Sequence, residues 1–268
     1  MIRLLSLLVL IGVSTAANAS LDYQSPSPEI AALAKAELPP VVAADSQGRY
    51  LLQLSRDLYP GIKTLSEPEL RLAGLRVNPD KNISSRLRYY TGISIQLLEN
   101  PKRNPNAIDS RAATVPVSNL PTGAQIAYVT WSPDEQRVAF TLTEATGVAL
   151  WVLELASAKA RQLTEPNLNA NLGRPFTWDA DSQSLIVKVV PDSRKPLIDP
   201  KQAVPTGPTV SISQGEKAQN RTYQDLIKNP TDAKNFTQLS RSELRLVDMD
   251  GKNSPFLETR MYGSVRMS

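Results

Sequence analysis

The acidic pairs Asp179/Asp181 and Glu67/Glu69 are the places where this sequence could do acid–base chemistry. Two carboxylates can divide the roles of proton donor and acceptor when a cleft raises the pKa of one of them. Nothing in the sequence around either pair specifies a cleft, so neither is assigned to catalysis. Asp248-x-Asp250-Gly251 has the opening of a calcium loop, but its glycine falls two positions early and position twelve is Thr259, so the reading is a hairpin turn. The 268 residues include no His and no Cys. That excludes a Ser-His-Asp or Cys-His triad, a thiolate or imidazole zinc site and a disulfide framework within this chain. Gly-x-Ser-x-Gly, Ser-x-x-Lys, the phosphate-binding P-loop and Gly-x-Gly-x-x-Gly are absent too. The catalytic, cofactor-binding and metal sets are therefore all read as none.

Lys and Arg number 30 against 26 Asp and Glu, a net charge of +4. No five like charges run together, which describes a mixed solvated surface rather than a nucleic-acid patch. Met1-Ile2-Arg3 followed by the apolar run Leu4 to Val13 and the small-x-small triplet Ala17-Asn18-Ala19 has the form of a cleavable export signal, with cleavage between Ala19 and Ser20. The run is too short to remain as a membrane-spanning helix. A periplasmic or secreted location without a stable membrane anchor is the expectation, and the lack of Cys fits a bacterial periplasm.

The elements that must position any site are short and β-like. Tyr50–Leu54, Glu69–Leu75, Ile93–Leu98, Ile126–Trp131, Arg137–Leu142, Ala149–Leu155, Ser184–Val190 and Glu243–Val247 alternate or are β-branched, with Pro, Gly, Asn and Asp between them. One helix is predicted ahead of them, over Pro28–Leu38. Trp131-Ser132-Pro133-Asp134-Glu135-Gln136-Arg137 and, 47 residues on, Trp178-Asp179-Ala180-Asp181-Ser182-Gln183-Ser184 repeat one order of aromatic, Asp-bearing turn and buried strand. Asp45-Ser46-Gln47-Gly48-Arg49-Tyr50 is a weaker copy, its Asp 89 residues before Asp134. A period of about 45 residues with four short strands per unit is that of a propeller blade. One blade reads as Ile126–Trp131, Arg137–Leu142, Ala149–Leu155 and Ala160–Leu163. Asp134 and Asp181 are expected to hold turns, and Trp131 and Trp178 to pack between blades. Residues 191–240, rich in Pro, Gly, Lys and Asn, read as an insertion with helices over Tyr223–Lys228 and Thr231–Leu239. The fold class is all-β, a partial β-propeller of about four blades of a seven-bladed type.

Tyr23-Gln24-x-Pro26-x-Pro28-x-Ile30, Pro68-Glu69-Leu70-Arg71-Leu72-Ala73-Gly74-Leu75-Arg76-Val77-x-Pro79, Trp131-Ser132-Pro133-Asp134, Gly147-Val148-Ala149-Leu150-Trp151-Val152 and Gly207-Pro208 followed by Arg221-Thr222-Tyr223-Gln224-Asp225-Leu226 together resemble one family. It is the N-terminal β-propeller portion of bacterial serine peptidases of the prolyl oligopeptidase (S9) family, in the glutamyl-endopeptidase-like branch. The resemblance implies a propeller that gates access for peptides to a C-terminal α/β-hydrolase domain carrying the Ser, Asp and His. No position for those residues exists among the 268.

Residues 20–268 are thus expected to form a partial propeller domain without the hydrolase domain, a truncated or split product that meets peptide substrates only when a hydrolase domain is supplied. The alternative is a self-contained periplasmic propeller that binds a partner. Arg76 and Arg221 are read as loop braces rather than peptide ligands.

Overall fold

The computed structural model describes residues 25–98, 114–199, 215, 225–263 and 265. The export signal with Ala19 and Ser20, the Tyr23-Gln24 pair, Gly207-Pro208 and Arg221 lie outside the described residues. The chain divides into two units, Met1–Glu37 and Leu38–Ser268. In the first, helix α1 (Pro28–Ala34) starts where expected: Pro28 opens it, and the Ser27 hydroxyl accepts from the Ile30 N–H at 3.5 Å. It ends at Ala34, four residues short of Leu38, with Lys35 as its C-cap and the Lys35 N–H on the Ala31 carbonyl at 3.1 Å.

In the second unit, four antiparallel sheets form. The first has the order β1-β2-β6-β7, from Val41–Ala44, Tyr50–Ser55, Gly92–Leu97 and Thr114–Pro116. Between β2 and β6 the chain inserts a short helix, α2 (Ile62–Leu65), and a three-stranded sheet of β3 (Leu70–Leu72), β4 (Leu75–Asn78) and β5 (Ile83–Ser84). The next sheet is the meander β8 (Ile126–Trp131), β9 (Arg137–Thr143), β10 (Val148–Glu154) and β11 (Lys159–Gln162). The last is β12 (Phe176–Trp178), β13 (Ser184–Val189), β14 (Arg241–Asp248) and β15 (Asn253–Met261), with helix α3 (Pro230–Ser240) just before β14. Of these four sheets, three are four-stranded blades, and the three-stranded one is an accessory within the first blade.

The middle blade shows why its sequence is so apolar. On β9, Val138, Phe140 and Leu142 face the first blade and pack with Leu52, Leu54, Ile93 and Ile95. Ala139, the residue between, joins Leu150 and Val152 of β10 against Leu185, Val187 and Val189 of the third blade. A sheet covered on both faces needs apolar residues at both parities of the strand, and every residue of β9 after Arg137 is buried.

The repeated turns occupy equivalent places, each joining the first and second strands of its blade. In each, the fourth residue has left-handed backbone: Gly48 (φ 63), Glu135 (φ 54) and Ser182 (φ 62). Each turn also opens on a polar residue whose N–H bonds the carbonyl five residues on: Asp45 to Tyr50, Ser132 to Arg137 and Asp179 to Ser184. The structural counterpart of Asp45 is therefore Ser132, not Asp134. A carboxylate at the first position of the turn and one at the third both serve turn N–H groups, which is why sequence alone misaligned them. Asp45 accepts from the N–H of Arg49 at 2.6 Å and of Tyr50 at 2.9 Å, whereas Asp134 accepts from Gln136 N–H at 3.1 Å.

These turns also tie blade to blade. The Ser46 N–H donates to Glu135 at 2.7 Å, and the Asp134 N–H donates to the Ser182 hydroxyl at 3.0 Å. Arg137 donates to the Ser182 carbonyl at 3.1 Å while its Nε holds Glu154 at 2.8 Å. Trp178, 6% exposed, packs in the core between the second and third blades, and its indole N–H donates to the Thr130 carbonyl at 3.3 Å. Replacing Arg137 by Ala removes a cross-blade bond and leaves Glu154 without its cation. It is expected to cost about 1–2 kcal/mol in a urea melt of the full chain, and no loss would contradict the clamp.

One predicted strand and one predicted helix differ in kind from expectation. Glu69–Leu75, read as one strand, is a hairpin, because Ala73 (φ 52) and Gly74 (φ 77) form a turn with left-handed backbone at both central positions. The predicted helix over Tyr223–Lys228 is not formed across the described residues 225–228. Asp225 there is left-handed (φ 59), its carbonyl accepts from the Gly74 N–H at 3.3 Å, and its carboxylate is drawn to Arg76. The second predicted helix is α3, with Pro230 in its first turn and the Asn229 side chain accepting from the Asp232 N–H at 2.8 Å.

Candidate functional site

The carboxylate pairs singled out from sequence are structural. Glu69 accepts from the Ser85 hydroxyl and pairs with Arg86, both at 2.8 Å, and with Arg71 at 2.9 Å. The Ser85 hydrogen bond and those of Arg86 and Arg71 hold its pKa down at about 2, far from the raised value a general acid needs. Glu67 accepts from Asn78 at 2.8 Å. Asp179 holds the Ala180 N–H at 2.7 Å and Asp181 the Gln183 N–H at 2.8 Å, both as turn ligands. Burial works against the charge on Asp134, but the Ser132 hydroxyl and the Gln136 N–H outweigh it and keep its pKa low. Asp248 accepts from the N–H groups of Asp250 and Lys252 at 3.0 and 2.8 Å, which makes its segment the expected hairpin turn.

Arg76 pairs with Asp225 and approaches Glu69 at 3.9 Å, so it braces a loop. It also brings the Leu-Ala-Gly-Leu-Arg segment against the end of the Arg-Thr-Tyr-Gln-Asp segment. Nearby, Leu72 and Val77 of the accessory sheet pack on Leu239 and Phe236 of α3. Asn169 and Asn171 both donate to the Leu239 carbonyl, at 3.0 and 3.1 Å, and so satisfy the C-terminal end of that helix.

This junction borders an open cavity of 630 Å³. Its wall is formed by Leu75, Asn171, Leu172, Arg174, Phe176 and Gly263. The accessory hairpin, the approach to β12 and the residues after β15 position them. Lys188 of β13 lies beneath, 2% exposed, and its ammonium donates to the carbonyls of Leu172 and, at 3.0 Å, Gly263. Burial lowers its pKa to about 8. Arg174 donates to the Thr130 hydroxyl. Among the described residues no carboxylate lies within ion-pair distance of either cation. Asn171, 6% exposed, keeps a buried Oδ1 that has no hydrogen-bond partner among the described residues. Sequence reasoning passed over all three residues. The available signal was Lys188 itself, a lysine two positions after Ile186 on one face of a strand whose residues are all buried.

Sheets in meander order, with equivalent turns and apolar faces packed blade against blade, define an all-β protein of the partial β-propeller class. No family model matches the chain. It is 31% identical over 259 residues to the probable glutamyl endopeptidase, chloroplastic, of Oryza sativa subsp. japonica, covering 92% of this chain and 26% of that protein. The protein of the same name from Arabidopsis thaliana is 32% identical over 244 residues, covering 85% and 24%. The chain is thus a β-propeller portion related to the glutamyl-endopeptidase-like branch of the prolyl oligopeptidase family. It spans about a quarter of the length of the curated relatives it matches. Among solved structures, Pyrococcus horikoshii acylaminoacyl peptidase aligns with 84% of this chain and 26% of its own at 12% identity and a TM-score of 0.37.

Among the described residues no helix is long and apolar enough to cross a membrane.

Proposed function

We propose that this chain is the non-catalytic, substrate-gating propeller segment of a secreted serine peptidase. It acts on peptides only together with an α/β-hydrolase portion, supplied by another chain or by a further segment. The carrying observation is its relatedness, across nearly its whole length, to glutamyl endopeptidases of which it spans a quarter, in a chain with no His to serve as general base. Blades packed face to face suit a rigid gate, because a stacked arc holds the rim of an opening at fixed width while contributing no nucleophile. Residues 1–19 serve as the export signal, with cleavage between Ala19 and Ser20.

The test is reconstitution. The exported chain, alone and mixed with the protein encoded immediately downstream of it, is assayed on glutamyl and prolyl peptides, and its N-terminus is sequenced. Expected are an N-terminus at Ser20, no cleavage by the chain alone, and cleavage by the mixture. If the mixture is inactive and the chain melts cooperatively by itself, the gating reading fails in favour of a self-contained binding propeller.

A further inference from the structure

The cavity beside β12 combines features that a purely structural junction does not require. A buried lysine with two carbonyl partners and, among the described residues, no counter-ion is costly, since its charge loses hydration without regaining an ion pair. Among the described residues Arg174, exposed at the rim, has only the Thr130 hydroxyl as a hydrogen-bond partner. Asn171 brings a buried acceptor, unpartnered among the same residues, which costs as well. One kind of ligand answers the two cations: a carboxylate placed against the Arg174 guanidinium, within the field of the Lys188 charge buried behind the wall. Phe176 and Leu75 supply apolar wall for the aliphatic part of such a ligand.

We propose that the cavity bounded by Asn171, Arg174, Phe176 and Gly263, with Lys188 beneath it, is a binding site for the carboxylate of a peptide. Arg174 presents a planar fork that suits bidentate capture of that group. Lys188 contributes as a buried positive charge, and through the Leu172 and Gly263 carbonyls it also fixes two parts of the wall. This rests on the gating reading only for the choice of a peptide as ligand, and it assigns to the gate a preference among the peptides that reach it.

The carboxylate could be a side chain or a chain terminus, and three probes separate these. Acetyl-Gly-Glu-Gly-amide carries only the side-chain carboxylate, acetyl-Gly-Gln-Gly only the terminal one, and acetyl-Gly-Gln-Gly-amide neither. Calorimetric titration of each into the full chain at pH 7 is expected to show at least one of the two acidic peptides binding about tenfold or more tightly than the neutral one, the margin of a charge-assisted pair. Arg174→Gln is expected to remove most of that margin while leaving the affinity for the neutral peptide unchanged. Lys188→Met is expected to reduce it as well. Because Arg174 is exposed, its substitution leaves the core intact, so the result does not depend on whether the lysine variant folds. Equal affinity for all three peptides, or an unchanged margin in Arg174→Gln, overturns the site. Binding is read on this chain alone, so a failed titration is distinct from a failed reconstitution of peptidase activity.

Discussion

Gly147→Ala is expected to destabilise the chain by about 4 kcal/mol, among the larger effects a single methyl group can have. Gly147 closes the turn between β9 and β10, where its carbonyl accepts from the Glu144 N–H at 2.8 Å. A Cβ built there would lie 2.0 Å from the Pro166 carbonyl oxygen and 3.1 Å from its carbon. That backbone is not free to retreat. The Leu168 N–H donates to the Val148 carbonyl at 2.9 Å, the Leu163 N–H to the Leu150 carbonyl at 2.8 Å, and the Thr164 hydroxyl accepts from the Leu150 N–H at 3.0 Å. Relief of the overlap must therefore break the strap across β10 or shift the hairpin within the most buried blade. Gly123→Ala supplies the comparison. Gly123 has left-handed backbone (φ 72) and no heavy atom within 4 Å of the added carbon, so it reports the backbone cost alone, about 1 kcal/mol. With a urea slope of about 2 kcal/mol/M, the midpoint of Gly147→Ala should fall by about 2 M and that of Gly123→Ala by about 0.5 M. Equal midpoints for the two variants would mean that the Pro166 strap does not press on the turn.

The middle blade was legible residue by residue because its pattern has no competing reading. Arg137–Leu142 and Ala149–Leu155 are apolar runs bounded by turn residues; the first stops one residue short of β9, and the second is displaced from β10 by one residue at each end. The repeat of Trp131 at Trp178 located equivalent turns because left-handed backbone at a fixed place demands small or polar residues around it. Most strands of two to four residues were missed, β11 excepted, and so was the nine-residue β15. Phe176–Trp178 and Val41–Ala44 are too short to show a period, and they are strands only because neighbouring blades offer them a ladder. Pairing across the chain was equally hidden. Arg76 and Asp225 are 149 residues apart, and nothing local marks them as partners.

The candidate cavity was illegible for the same reason. Asn171, Arg174 and Lys188 are ordinary polar residues in sequence, and the assembly of the accessory hairpin, the β12 approach and the residues after β15 gives them a common wall. Only Lys188 broke a local rule, by placing a charge where the alternation of β13 demands an apolar side chain. Sites that violate local patterning are where sequence reasoning fails for a functional reason, so Lys188 is the residue whose energetics matter most.

The stability of this chain is expected to rise with pH between about 8 and 10, and Lys188→Met is expected to abolish the rise. Burial takes the Lys188 pKa from 10.5 to about 8. Below pH 8 the lysine is protonated whether folded or unfolded, and the full cost of burying the cation is present. Between 8 and 10.5 the unfolded chain holds a proton that the folded chain has released, so raising the pH favours folding. Above 10.5 both states are neutral and the cost is gone. The amplitude implied is on the order of 3 kcal/mol, at about 1.4 kcal/mol for each unit. Two phenols act in the opposite sense. Burial raises the pKa of Tyr89 and of Tyr128, so above about 10 the unfolded chain loses phenolic protons that the folded chain keeps, and stability falls. The profile should therefore climb from pH 8, turn over near 10 and then decline. Urea midpoints at half-unit steps from pH 7 to 11 would trace it, and a flat line from 8 to 10 in the unsubstituted chain would show that Lys188 meets water or a counter-ion. In Lys188→Met the climb should vanish and the decline remain. Loss of the donor to the Leu172 and Gly263 carbonyls costs about 1 kcal/mol each and offsets much of the gain from removing the charge, so the slope rather than the absolute stability is diagnostic. The slope also connects the lysine to the cavity above it. A carboxylate bound there favours the protonated amine and moves its pKa back toward 10.5, so a saturating acidic peptide should flatten the climb while the neutral peptide leaves it in place.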